Sequence, residues 1–105
     1  MDFDKYQYEA FSYCMPSAAN LEYLITGLAA EAGEVAGKYA KYIRDETSRK
    51  TLHEDLEKEL GDVLWFVAML SEMMGSNLSE IAQMNIDKLE SRAKRGVLKG
   101  SGDAR

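Results

Sequence analysis

Residues 59–70 read ELGDVLWFVAML, two carboxylates, Glu59 and Asp62, running straight into eight residues with no polar side chain. Outward from it, Leu52, Leu56, Leu60, Val63, Val67, Leu70 and Met74 recur at helical spacing. The pattern predicts a helix over about residues 51–74, and Gly75 is placed to end it in a left-handed cap. From Val63 onward that helix is apolar nearly all round, including Trp65 and Phe66, and such a helix must be buried on every side. A chain of 105 residues cannot easily cover it alone, so a homodimer or a dimer-of-dimers tetramer is expected along this helix.

The remaining elements follow from the same periodicity. An aromatic-rich first helix over about 2–14 opens on Asp2 or Asp4, with Phe3, Tyr6, Ala10 and Phe11 on one side, and closes at Met15-Pro16. A second, over about 20–44, carries Leu21, Leu24, Ile25, Leu28, Ala32, Val35, Tyr39 and Ile43 as its buried stripe. The charged stretch RDETSRKT breaks the period before the third helix. NLSE, residues 77–80, has the form of a capping box and opens a fourth helix to about residue 94. Two long helices joined by a short connection predict the antiparallel centre of an all-α four-helix bundle. The domain is expected over residues 1–95, with 96–105 a flexible glycine-rich tail.

Composition narrows the function. A net charge of -5 argues against a nucleic-acid duplex as partner, since phosphate neutralisation needs a basic field. Cys14 is the only cysteine, so there is neither an internal disulfide nor a cysteine-based zinc site, and a reducing cytoplasm is the expected compartment. The N-terminal residues lack the order of a signal peptide. No apolar run is long enough to span a bilayer, and no membrane partner is expected.

The acids are the unusual feature. Glu31 and Glu34, like Glu59 and Asp62, stand three residues apart and so share a helix face. An E-x-x-E pair on one helix is commonly just a solvated face. Two pairs bordering the core on facing helices would instead gather four carboxylates. Like charges ~4 Å apart repel by roughly 4 kcal/mol at an effective dielectric of 20. Such a group needs protonation or a cation among the oxygens. All-oxygen ligation points to a hard ion, Mg²⁺ by default with Mn²⁺ as a substitute. A ferritin-like di-iron site would need Glu-x-x-His on two helices, and His53, the only histidine, has Lys50 three residues before it. No nucleophile triad and no phosphate-binding glycine loop is present.

EAGE at residues 31–34, ELGD at 59–62 and NIDKLESR at 85–92 together resemble the MazG-type all-α nucleotide pyrophosphohydrolases. That family's pattern is EExxE, a gap, ExxD, then an Asn and a Lys on the last helix. The resemblance covers about residues 21–95 and implies Mg²⁺-dependent hydrolysis of a nucleoside or deoxynucleoside triphosphate between the α- and β-phosphates. Glu31, Glu34, Glu59 and Asp62 match the metal ligands, and Glu31 or Glu34 is the expected general base. Ala30 stands where the family has its first Glu. Dimeric dUTPases and phosphoribosyl-ATP pyrophosphohydrolases share the acidic helices. A non-catalytic helical oligomerisation module is the alternative from another class.

On the fourth helix the stripe Leu78, Ile81, Ala82, Asn85, Leu89 places Asn85 in the buried face, flanked by Lys88 and Arg92. A buried amide costs about 1–3 kcal/mol without partners, so Asn85 is expected to bond substrate or a metal ligand. Lys88 and Arg92 are expected to receive the pyrophosphate charge; the resemblance places an Asn and a Lys at Asn85 and Lys88. Trp65, Phe66, Tyr39 and Tyr42 could stack a base, although aromatic residues at helical spacing are ordinarily core.

Overall fold

The structure is a computed structural model and describes all 105 residues. It is all-helical: α1 (Phe3–Phe11), a short 3₁₀ turn (Pro16–Ala18), α2 (Leu21–Asp45), α3 (Arg49–Met73) and α4 (Leu78–Lys94), with no strand. The Asp2 carboxylate accepts from the Lys5 N–H at 2.8 Å and starts α1. Bonds of the Tyr13 and Cys14 N–H groups to the carbonyls three residues back tighten the chain out of α1 before Pro16, so the helix stops short of residue 14.

α2 and α3 form an antiparallel hairpin with a turn of only three residues, 46–48. Glu46 closes α2 in the left-handed region, at φ 51°. The Ser48 hydroxyl accepts from the Thr51 N–H at 3.1 Å and opens α3. The charged break is therefore shorter than its composition suggests, because Arg49 to Thr51 already form the first turn of α3. Gly75 takes φ 69° as expected, and the Ser76 N–H bonds the Ser71 carbonyl at 2.8 Å, which is the Schellman closure of α3.

The start of α4 is held differently from the capping-box reading. The Asn77 side chain caps nothing and instead donates to Glu80 at 3.3 Å. α1 supplies the acceptors: Gln7 Oε1 takes the Leu78 N–H at 2.6 Å and Asp4 Oδ1 takes that of Ser79 at 3.4 Å. Gln7 Nε2 also donates to Glu72 and to the Ser76 carbonyl, each at 2.9 Å. Gln7 is buried, so this one amide ties α1 to the α3–α4 turn.

The core is small: Ala10, Leu24, Phe66, Ala68, Met69 and Leu78, flanked by half-buried Tyr6, Leu28, Leu64, Trp65 and Val67. Phe66 packs on the backbone of α2 at Gly27, where a Cβ would collide with its ring. Trp65 lies edge-on to Phe66, with centroids 5.1 Å apart, and its indole N–H donates to the Ala10 carbonyl at 3.2 Å. All eight residues of VLWFVAML are thus buried or half-buried by their own chain. The uncovered apolar surface lies elsewhere. On α2 only Leu24 of the expected stripe is buried, while Leu21, Ile25, Ala32, Tyr39 and Ile43 are exposed. α4 packs chiefly on α1 and lightly on α3, which leaves one side of α2 without a neighbour. No helix is long and apolar enough to cross a membrane.

Candidate functional site

Antiparallel pairing of α2 and α3 brings the middle of one against the middle of the other, and three acids meet there. One carboxylate oxygen each from Glu31, Glu59 and Asp62 lie within 4.8 Å of one another. Glu31 and Glu59 are half-buried and Asp62 is exposed. Burial first, then the charges of Asp62 and Glu59, raise the Glu31 carboxyl above its ordinary pKa. Glu59 Oε1 faces Lys38 Nζ at 3.7 Å. Its other oxygen, Oε2, is buried and accepts no hydrogen bond. A buried carboxylate oxygen without a donor, on one member of an all-oxygen trio, fits a hard divalent cation, which would offset its desolvation.

Glu34 stands outside the trio. It is exposed, one turn beyond Glu31, yet its charge is among those that raise Glu31. Gly33 and Gly61 fall inside the two acid pairs, and a Cβ at either would meet nothing within 4 Å. Each helical glycine costs about 1 kcal/mol relative to alanine, and no packing in this chain requires either.

Two further groups belong to the site. Lys38 lies seven residues after Glu31, two turns along the same face, a spacing that was legible. Tyr6 was not legible, because it arrives from α1: burial, and then the charge of Asp62, raise its phenol above the usual range. With Met1, Phe3 and Leu64 it lines a largely apolar cleft of about 360 Å³ that also includes Asp2.

The α4 residues are placed otherwise than their spacing suggested. Asn85 is exposed, in an open cleft of about 270 Å³ with Ile81, Met84 and Lys88. Its expected burial is corrected, because α4 meets its neighbours through Leu78 and not along the whole stripe; Ile81 and Leu89 are exposed too. Arg92, by contrast, is buried. Within the chain no hydrogen bond or ion pair joins Asn85, Lys88 or Arg92 to the acids; Lys88 and Arg92 face Asp103 instead. Of the aromatic residues, Phe66 is core, Trp65 and Tyr42 are half-buried, and Tyr39 is exposed.

The family model for the MazG nucleotide pyrophosphohydrolase domain matches residues 19–97, a span that contains both acid pairs. The chain belongs to that family. It is also similar to the Gene 37 protein of Mycobacterium phage L5, 46% identical over 91 residues that make up 85% of this chain and 80% of the relative. No solved structure matches it.

Proposed function

We propose that this chain hydrolyses nucleoside or deoxynucleoside triphosphates between the α- and β-phosphates, in the cytoplasm, with Mg²⁺ held by Glu31, Glu59 and Asp62. The observation that supports this reading is the convergence of those three carboxylates with an unpartnered buried oxygen on Glu59. A bound ion would supply charge neutralisation at the phosphate oxygens and align them for in-line attack. Glu34, exposed and outside the trio, takes the proton of the attacking water. The water oxygen then bonds to the α-phosphorus as the bond from that phosphorus to the bridging oxygen breaks. Pyrophosphate leaves with the electron pair.

The cleft of Phe3, Tyr6 and Leu64 adjoins Asp62 through Tyr6 and offers apolar walls for a base or sugar. Asn85, Lys88 and Arg92 receive the outgoing pyrophosphate, and α4 of a second copy would bring them to the acids. Self-association is supported by the surface area. The chain exposes 7672 Å², against about 5,900 Å² expected for a compact monomer of this mass.

Pyrophosphate release measured against a panel of ribo- and deoxyribonucleoside triphosphates tests the reaction. Release should need a divalent ion and stop with EDTA. Inorganic phosphate as the only product would overturn the assignment, and a scaffold would bind neither Mg²⁺ nor a non-hydrolysable triphosphate.

A further inference from the structure

The tail after α4 folds back onto that helix. Gly96 takes φ 73° and the Val97 N–H bonds the Arg92 carbonyl at 2.8 Å, a second Schellman closure that turns the chain around. The Arg105 guanidinium then gathers the carbonyls of Val97, Leu98 and Gly102 at 3.0, 3.1 and 2.7 Å. Asp103, the only acid after residue 95, is thereby set over two cations of α4. Its Oδ1 lies 3.5 Å from both Lys88 Nζ and Arg92 Nη2. Arg92 Nη2 also donates to the Asp103 and Gly102 carbonyls at 3.0 and 3.3 Å.

The two partners differ sharply in exposure. The Arg92 side chain is 6% exposed and its Nε is buried without an acceptor, whereas the Asp103 side chain is 92% exposed. Arg92 thus lies beneath the folded-back tail, whose Gly102 and Asp103 cover it, while the Asp103 carboxylate sits on the outer side of a loop with Gly102 at φ 87°. Lys88 and then Arg92 hold the Asp103 carboxyl below its usual pKa, as a carboxylate in place of a phosphate oxygen would be.

We propose that the C-terminal tail is a displaceable internal anion, in which Asp103 occupies the Lys88–Arg92 pair and competes with phosphate-bearing ligands for it. The competition rests on the reading of Lys88 and Arg92 as a phosphate contact, and it makes the tail a restraint on substrate entry or product retention. An exposed ion pair sets only a modest barrier, so relief amounts to about three- to fivefold in affinity. A doubly charged phosphate group outcompetes a single carboxylate for two cations.

Calorimetric binding to the full chain at low salt tests this without requiring turnover, with inorganic pyrophosphate and a non-hydrolysable nucleoside triphosphate as separate probes. Asp103→Asn should bind pyrophosphate about three- to fivefold more tightly than wild type, with little change in melting temperature. Tighter triphosphate binding as well marks a restraint on substrate, and tighter pyrophosphate binding alone marks one on product. Glu90→Gln removes a charge from the exposed Glu90–Lys94 pair on the same helix and should change neither. Lys88→Ala combined with Asp103→Asn should lose the gain. Equal effects of Asp103→Asn and Glu90→Gln, or unchanged or weaker binding by Asp103→Asn, would overturn the proposal. Because binding is the readout, it stands or falls separately from the hydrolytic reading.

Discussion

Glu59 sets one carboxylate oxygen against Lys38 and leaves the other buried with no donor. A cation there acts as a ligand of the folded state alone and stabilises it by mass action. Thermal melts of wild type should therefore rise with added Mg²⁺, and Glu59→Gln should rise much less. The same substitution removes a like charge, so the metal-free variant should melt no lower than wild type. Equal Mg²⁺ responses would refute the ligand role. Glu31 adds a pH signature. Its folded-state pKa is raised, so its contribution to stability is full below the unfolded value and lost as pH rises through the folded one. In EDTA, wild type should lose stability relative to Glu31→Gln as pH rises from that of an ordinary glutamate towards neutrality. A constant difference between the two would show that Glu31 titrates normally.

Among the elements, α4 depends on α1 for its own start. Gln7 supplies the acceptor for the buried Leu78 N–H and two donor bonds across the turn. Stranding a buried backbone donor costs about 1–3 kcal/mol. Gln7→Ala is thus expected to lower the melting temperature by roughly 4–24 °C, taking about 4–8 °C per kcal/mol for a domain near this size. Hydrogen exchange should speed up first in α4. A Gln7→Ala protein that melts within 2 °C of wild type, by about the same scale, would show that the bond network is incidental.

At the scale of the whole molecule, the chain is more open than a compact domain of its length. Its radius of gyration is 16.6 Å, against about 13 Å for a compact domain of this length. The area excess over a compact monomer, about 1,800 Å² on one chain, is roughly twice the ~800 Å² that each partner contributes to a standard-size interface. Tyr23, Ile25, Tyr39 and Ile43 on α2, with Met84, Ile86 and Leu89 on α4, supply its apolar part. Light scattering at micromolar concentration is expected to give a dimer or tetramer, and Ile25→Glu to shift it towards monomer. A monomeric wild type would remove the argument.

Helix type and order follow from local physics and were open to reading in the sequence: the 3.6-residue period, Asp2 as a cap, Gly75 beyond a helix end. So were the acid pairs, because residues three apart share a helix face whatever the helix packs against. Which face meets what is another matter. Periodicity marks a stripe as apolar but cannot say that α4 turns towards α1, leaving Ile25 and Asn85 in solvent, or that the tail folds back over Arg92. The capping of Leu78 by Gln7 and the approach of Tyr6 to Asp62 each join residues far apart in sequence. No local pattern encodes such a contact. The spacing marked Glu31, Glu34, Glu59 and Asp62 as two face-sharing pairs; that Glu31, Glu59 and Asp62 close into one cluster while Glu34 stays outside was decided only by how α2 lies across α3.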